Sequence, residues 1–269
     1  MPNPSRVLVA GVDVGSECVK AVVLGEDRSI LGRSLILAAG YFGQRAREAL
    51  ESALDDAQQP SEALAAVGVT GFGARNAELP KARTLIDSSC HARGAFHYFP
   101  EPLTVVDIGG RSPSVIQVDA EGLRLGTRGP RKCAVGIGTF LEFAARHLDV
   151  HPTRLMELAS AADRPVPISS YCSVYGESEI LEALRAGATR EQIALGCMHS
   201  VAERILELGP LTPPVAISGG VMEYFPGVAA ALEHKCGLPV RVVPEPIQTA
   251  ALGAALLVLD QPAATASVG

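Results

Sequence analysis

The chain has 269 residues, of which 48% are hydrophobic and 19% are charged, and its formal net charge is −6. This length and apolar content support one large domain or two of about 100–150 residues, and they exclude a disordered chain. The acidic balance argues against nucleic acid as a partner, no apolar run reaches the roughly 18 residues of a membrane span, and the first residues lack a signal peptide's layout, so we expect a cytoplasmic protein without nucleic-acid or membrane partners.

Strands and helices alternate along the chain, which predicts an α/β protein. The first part opens with three strands joined by tight turns, and the second part opens in the same way. The first part has predicted strands at 6–14, 18–25, 29–37 and 63–70 and helices at 45–58 and 85–99. The second part has predicted strands at 103–108, 114–119, 123–126, 214–218 and 240–243 and helices at 138–148, 152–161, 178–186, 190–208, 225–235 and 247–259.

An aspartate–x–glycine turn closes the first strand of each part. Asp13 begins one such turn and Asp107 begins the other, and each turn is followed by two further strands. A three-strand unit with the same ending therefore occurs twice. This repetition predicts two topologically similar halves whose turns face each other across a cleft.

Turns of this kind suit a nucleotide's phosphates. Small residues after a strand let backbone N–H groups approach phosphate oxygens, and a carboxylate at the strand's end suits Mg²⁺. A single such turn would be an ordinary hairpin, whereas the matched pair favours nucleotide binding. The sequence contains no P-loop motif, and the glycine pairs at 71 and 73 and at 136 and 138 lack the third glycine of a dinucleotide fingerprint.

A third element follows the buried strand predicted at 214–218. Gly219 and Gly220 connect this strand to a helix, so a flat adenine could lie against the backbone there. In this order, the three elements resemble those of actin, the heat-shock chaperones and the sugar kinases, over about residues 6–258.

The resemblance implies an actin-like (ribonuclease H-like) α/β fold with two similar halves around a nucleotide cleft. We expect the halves at 1–98 and 99–269, and the C-terminal helix could pack back on the first half. The implied catalytic residues are Asp13, also the Mg²⁺ ligand, and Asp107. The implied ATP-binding residues are Gly11, Val14, Gly15, Ser16, Lys20, Gly109, Gly110, Arg111, Gly219, Gly220 and Gln248.

Further stretches resemble one branch of this superfamily, the BadF/BadG/BcrA/BcrD ATPase family. Its members are the ATPase subunits of benzoyl-CoA reductase and the activators of 2-hydroxyacyl-CoA dehydratases. The segment 132–142 differs at three positions from the family's KCAAGTGRFLE, and 172–179 resembles its CTVFAESE. The segments 67–73, 90–95 and 244–255 also resemble the family.

The family resemblance implies an ATP-hydrolysing iron–sulfur subunit that uses ATP/ADP and Mg²⁺. Cys133 and Cys172 would bind a [4Fe–4S] cluster shared with a second ATPase subunit, identical or related, since one chain supplies two of four thiolates. Reduced ferredoxin is the implied electron donor, and a reductase or dehydratase component is the implied acceptor. The remaining cysteines are predicted to be small buried hydrophobes: Cys18, Cys90, Cys197 and Cys236.

The second turn departs from the family's DIGGQDSK, because the glutamine, aspartate and lysine are all absent. Arg111 stands in the turn, and Pro113 stiffens it and removes a donor, which leaves the rate of hydrolysis open. Two other functions stay open. A sugar kinase of this fold would need a further carboxylate as a base, and none is evident after Asp107. In a nucleotide-dependent scaffold or regulator, both cysteines would be incidental.

Overall fold

The computed structural model describes residues 7–130, 136–169 and 173–261, which form ten strands and nine α-helices. The strands are β1 (Leu8–Val14), β2 (Cys18–Leu24), β3 (Ile30–Leu37), β4 (Leu64–Thr70), β5 (Ala82–Thr84), β6 (Leu103–Ile108), β7 (Pro113–Val118), β8 (Arg124–Arg128), β9 (Val215–Ser218) and β10 (Val240–Val242). The helices are α1 (Phe42–Asp56), α2 (Asp87–Tyr98), α3 (Ile137–His147), α4 (Leu155–Ser160), α5 (Ser173–Arg185), α6 (Arg190–Leu206), α7 (Gly220–Tyr224), α8 (Gly227–Cys236) and α9 (Thr249–Asp260).

These elements form two compact units. Unit 1 contains the described residues up to Pro100, the segment Gly122–Arg124 and the described residues from Gln248 onward. Unit 2 contains Glu101–Glu121 and Leu125–Ile247. Helix α9 groups with unit 1.

Unit 1 is built on a five-stranded sheet in the order β3-β2-β1-β4-β5. The central strand β1 pairs antiparallel with β2 and parallel with β4. Alternate side chains of a strand point to opposite faces. Accordingly, Leu8, Val12 and Val14 join the core cluster that includes α1, and Val9 joins the cluster that includes α9. Every residue of β1 is buried because helices cover both faces.

Helix α9 approaches its neighbours closely enough for backbones to touch. A Cβ atom at Gly11 of β1 would overlap the carbonyl oxygen of Ala251, and one at Gly68 of β4 would overlap that of Ala254. On α9 itself, a Cβ atom at Gly253 would overlap the carbonyl oxygen of Cys90 in α2. Glycine is required at such positions because any side chain would push the two backbones apart.

Unit 2 repeats the sheet of unit 1. Its strand order, β8-β7-β6-β9-β10, matches that of unit 1 position by position. The central strand β6 pairs antiparallel with β7 and parallel with β9. This match confirms the prediction of an α/β fold with two similar halves. Helices α3, α5, α6 and α8 bury a large apolar core, to which Phe140, Leu141, Ile180, Ile193, Val201 and Leu232 contribute.

Most element boundaries agree with the sequence prediction within about three residues. The main differences are β5, which the sequence does not predict, and α5, which begins at Ser173, five residues before the predicted start at 178. Its Gly176 is typical of a helix breaker in the sequence, but a Cβ atom there would lie 2.8 Å from the ring of Phe140. Close packing of α3 on α5 therefore explains this glycine. None of the helices in the described part of the chain has the length and apolar character needed to cross a membrane.

The glycine contacts of α9 generate a stability prediction. We expect Gly253→Ala to lower the free energy of unfolding by about 3 kcal/mol, because the added methyl group meets backbone atoms of α2. In an unobstructed helix the same change would stabilise by about 1 kcal/mol. Urea denaturation followed by circular dichroism measures the effect. The control is Gly126→Ala in β8, where a Cβ atom meets nothing within 4 Å. Equal stabilities of the two variants would contradict the close packing.

Candidate functional site

A buried ion pair marks the end of β1. Asp13 and Lys20 are partners in the β1–β2 ladder, and Lys20 Nζ donates to Asp13 Oδ2 at 3.0 Å. Their side chains are only 10% and 11% exposed. An isolated charge is costly to bury, whereas a hydrogen-bonded pair offsets part of that cost. The pair therefore holds a carboxylate and an ammonium group at the strand end where the sequence predicts phosphate and Mg²⁺ binding.

The turn after β1 is kept narrow by glycine. A Cβ atom at Gly15 would lie 2.7 Å from the carbonyl oxygen of Cys18 and 3.1 Å from Lys20 Nζ. Gly15 and Ser16 are half-buried, and Val14 is fully buried. The carbonyl oxygen of Val14 accepts a hydrogen bond of 2.8 Å from the N–H of Gly73.

The end of the neighbouring parallel strand β4 lies beside the carboxylate of Asp13. Thr70, the last residue of β4, is the ladder partner of Asp13. Gly71 follows with a φ of +90°, and a Cβ atom there would overlap Asp13 Oδ1 and lie 2.7 Å from the carbonyl oxygen of Val14. Gly71, which belongs to the family-like segment 67–73, is thus needed both for its left-handed backbone and for its contact with Asp13.

A second carboxylate, which the sequence interpretation missed, lies at this edge. Asp87 begins α2, and its Oδ1 is 3.3 Å from Thr70 Oγ1. Partial removal from water raises the pKa of Asp87, and the Asp13 carboxylate adds to this rise, while His91, Thr70 and Lys20 oppose it. Asp87 nevertheless keeps an exposed surface. The one feature of the sequence that could have pointed to Asp87 is its position three residues before the family-like segment 90–95.

The cysteine that follows is structural. Cys90 is fully buried in α2, and burial raises the pKa of its thiol to about 12. Cys197 in α6 is also fully buried, and burial raises the pKa of its thiol to about 12. Both agree with the prediction of small buried hydrophobes, whereas Cys18 and Cys236 are half-buried.

Unit 2 repeats this arrangement at the end of β6. Asp107 is buried, and its ladder partner on β9 is Ser218. Gly219 follows Ser218 with a φ of +98°, and a Cβ atom there would lie 2.5 Å from Asp107 Oδ1 and 2.5 Å from the carbonyl oxygen of Ile108. The N–H of Gly219 donates to the carbonyl oxygen of Pro246 at 3.0 Å. Each unit thus places an aspartate against a left-handed glycine that follows the next parallel strand.

The second turn connects β6 to β7 and touches α3. Pro113 is the first residue of β7 and pairs with Ile108, a strand position that tolerates a missing donor. The N–H of Gly136 donates to the carbonyl oxygen of Arg111 at 2.6 Å. A Cβ atom at Gly138 would lie 3.7 Å from the Cα of Gly110. The turn and the N-terminus of α3 are therefore in direct contact.

The first turns of α3 and α5 pack against each other through Phe140 and Gly176. The guanidinium of Arg204, which is 2% exposed, lies 4.8 Å from the centre of the Phe140 ring. Cys133 and Cys172 lie outside the described residues. In the sequence, Cys172 immediately precedes α5, and Cys133 is four residues before the first residue of α3.

Other predicted nucleotide-binding residues have varied surroundings. Gly11 packs against α9, and Gln248 Nε2 donates to the carbonyl oxygen of Ser34 at 3.0 Å. Arg111 is exposed, and Gly109 has no atom within 4 Å of the position of a Cβ. A nucleotide role for each of these, and for Gly220, which begins α7, stays a prediction.

Sequence comparison relates the chain to characterised proteins. The model of the BadF/BadG/BcrA/BcrD ATPase family matches residues 10–258. The (R)-2-hydroxyglutaryl-CoA dehydratase activating ATPase of Acidaminococcus fermentans is 34% identical over 253 residues, which are 93% of this chain and 96% of that protein. One of the subunits of benzoyl-CoA reductase from Thauera aromatica is 30% identical over 206 residues, which are 75% of this chain and 72% of that protein.

Solved structures of dehydratase activators are also similar to this chain. Component A of the Acidaminococcus fermentans (R)-2-hydroxyglutaryl-CoA dehydratase has a TM-score of 0.86 and 30% identity, covering 96% of this chain and 100% of that one. The activator of the 2-hydroxyisocaproyl-CoA dehydratase from Clostridium difficile, with bound ADPNP, has a TM-score of 0.85 and 29% identity, covering 96% of each chain. A ROK family glucokinase from Streptomyces griseus, at 16% identity and a TM-score of 0.58 over 93% of this chain and 98% of that one, shares the fold alone.

The burial of two cysteines gives a test by chemical labelling. The thiolate is the reactive form, so raised pKa values and burial should make Cys90 and Cys197 at least about 100-fold slower to react with iodoacetamide in the native protein than in urea. Mass spectrometry of the labelled peptides gives each rate separately. The half-buried Cys236 serves as the internal comparison. Native labelling of Cys90 or Cys197 at the rate found in urea would contradict their structural role.

Proposed function

Because the chain belongs to the BadF/BadG/BcrA/BcrD ATPase family, we propose that it is an iron–sulfur ATPase that drives low-potential electron transfer to a CoA-ester dehydratase or reductase. Membership supports ATP binding and an ATPase activity. Its relatives include dehydratase activators, one of them solved with bound ADPNP, and a component of benzoyl-CoA reductase. We infer the electron-transfer role of this chain from its similarity to these relatives.

In unit 1, the edge formed by β1, β2 and β4 binds the magnesium and phosphates. Asp13 holds Mg²⁺, directly or through water, since carboxylate oxygen suits this ion. Lys20, 3.0 Å from Asp13, offsets the negative charge that the carboxylate and phosphates bring together. The backbone of Val14, Gly15 and Ser16 lies beside them and supplies the phosphate turn.

In unit 2, the turn Gly109–Arg111 binds nucleotide phosphates beside Asp107, the second catalytic aspartate of this proposal. The open space at Gly109 and the exposed guanidinium of Arg111 suit an anion. Gly219 and Gly220 bind the adenosine. The buried contact between Gly219 and Asp107 would fix the adenosine turn relative to the phosphate turn.

Cys133 and Cys172 hold the cluster together with the same pair from a second ATPase subunit, identical or related. A [4Fe–4S] cluster bound there supplies one-electron transfer, with reduced ferredoxin as donor and the dehydratase or reductase component as acceptor. The packing of Phe140 on Gly176 supports this assignment, because it brings together the helices that follow the two cysteines in the sequence.

One observation carries the coupling of ATP to electron transfer. The hydrogen bond from the Gly136 N–H to the Arg111 carbonyl oxygen joins the second phosphate turn to the start of α3. Gly136 has a φ of +88°, a backbone conformation in which glycine moves at low cost. A turn that responds to the γ-phosphate therefore pulls directly on a helix next to the cluster ligands.

The cluster is tested by iron content after anaerobic purification. The wild-type protein should contain iron and sulfide and absorb visible light, whereas Cys133→Ser and Cys172→Ser should each lose the iron, because a serine hydroxyl is a poor ligand for this cluster. Cys197→Ser is the matched control and should keep the iron. Iron retained by both ligand variants, or absent from the wild type, would exclude the proposed cluster.

The magnesium site is tested by Asp13→Asn. Loss of the carboxylate should reduce MgATP hydrolysis by about 100-fold, because Mg²⁺ and its charge stabilisation are lost. ADP release measures the rate, and circular dichroism confirms the fold. Glu51→Gln, at an exposed position on α1, is the control and should keep the wild-type rate. Wild-type turnover in Asp13→Asn, or ADP release that depends on an added hexose, would overturn the assignment.

A further inference from the structure

The carboxylate of Asp87 has no role in the functions described above, yet it lies at the centre of the unit 1 edge. It is joined to Thr70 Oγ1 at 3.3 Å, and Thr70 is the ladder partner of Asp13. Asp87 is therefore hydrogen-bonded to β4, the strand that pairs with β1 at Asp13. We infer that Asp87 is the catalytic carboxylate that orients the attacking water and accepts its proton during ATP hydrolysis.

The hydrogen bonding of Asp87 leaves room for a water molecule. Thr70 Oγ1 lies 3.3 Å from both Asp87 Oδ1 and the carbonyl oxygen of Leu85, so its one hydroxyl proton can serve either oxygen. Thr70 Oγ1 is a hydrogen-bond partner of Asp87 Oδ1, and a ring nitrogen of the buried His91 lies within 4.8 Å of an Asp87 carboxylate oxygen. Asp87 keeps an exposed surface, so a water molecule can reach its carboxylate.

The charges around Asp87 suit proton transfer. Partial removal from water raises the pKa of Asp87, which favours proton acceptance, while His91 and the Thr70 hydrogen bond act in the opposite direction. Burial also raises the pKa of Cys90, the thiol nearest to it in sequence, so that side chain stays neutral.

A structural explanation for Asp87 is available and makes different predictions. An acidic residue in the first turn of a helix stabilises it through the helix dipole. Ile86, at the N-cap position of α2, provides no side-chain cap, and the hydrogen bond found for Asp87 goes to β4 instead of to the helix's own N–H groups. A purely structural residue would affect stability and leave the turnover of the folded enzyme unchanged.

Hydrolysis of ATP at this site needs only ATP and one water molecule as reactants. The water oxygen forms a bond to the γ-phosphorus as the bond from phosphorus to the bridging oxygen breaks, and ADP keeps that electron pair. The water proton passes to the carboxylate of Asp87 and then to solvent. This role rests on the proposed function, in which Asp13 is assigned to Mg²⁺ and no residue has been assigned as the base.

The test compares Asp87→Asn, which can still accept the Thr70 hydrogen bond, with Asp87→Glu, which retains a carboxylate. Saturating MgATP and ADP release give kcat and KM, and calorimetry with ADPNP, with and without Mg²⁺, gives nucleotide affinity. Asp87→Asn should lower kcat by about 100-fold or more, with KM and ADPNP affinity within about threefold. Asp87→Glu should recover at least about tenfold of the lost rate. Glu51→Gln should match the wild type.

Three results would overturn the assignment in different ways. A kcat within threefold of wild type in Asp87→Asn would leave the carboxylate without a catalytic role. Loss of Mg²⁺-dependent ADPNP binding would make it a metal ligand. A wild-type protein that binds no ADPNP and releases no ADP would remove the proposed function, and the role of Asp87 with it. Should Asp87→Asn not fold, Thr70→Val, which removes the hydroxyl that orients Asp87, gives the same kcat comparison.

Discussion

The docking of α9 on β1, β4 and α2 is the contact on which unit 1 depends. It is made between backbones at glycines, Gly11 on the strand side and Gly253 on the helix side, so a shift of one residue would bring a methyl group against a carbonyl oxygen. The contact therefore allows only one register of α9 along its neighbours. It orients three elements at once: β1 ends beside Asp13, β4 ends at Thr70, and α2 begins at Asp87. The chemistry of the edge follows from this packing, because these three side chains come from distant parts of the chain.

The two units share one contact at the end of the central strand but differ in the groups that surround it. In each, a buried aspartate at the end of the central strand contacts a left-handed glycine after the neighbouring strand, Gly71 in unit 1 and Gly219 in unit 2. Unit 1 adds a buried lysine and a second carboxylate, to which we assign the binding and cleavage of a phosphate. Unit 2 instead connects its turn to a helix through Gly136. The same sheet thus carries different groups in the two units.

Strand alternation and the repeated aspartate–x–glycine turns were sufficient to predict the fold, because both signals are local. The sequence did not point to Asp87, since its partner Thr70 is 17 residues away and only the parallel pairing of β4 with β1 makes the position meaningful. Gly11 is predicted to bind ATP, and that role stays a prediction; the structure shows that its lack of a side chain is also required by the packing of α9. A single sequence cannot distinguish a glycine required by a ligand from one required by a neighbouring helix, because both leave the same residue.

We propose that nucleotide bound to this chain alters an iron–sulfur cluster through the contact between the second turn and α3. The most direct test is the reduction potential and electron paramagnetic resonance signal of the anaerobically purified protein with MgATP, with MgADP and without nucleotide. Both the signal and the potential of the ATP state should differ from those of the other two states, because the turn pulls on the start of α3. Identical signals and potentials in all three states would contradict it, even if the cluster is present.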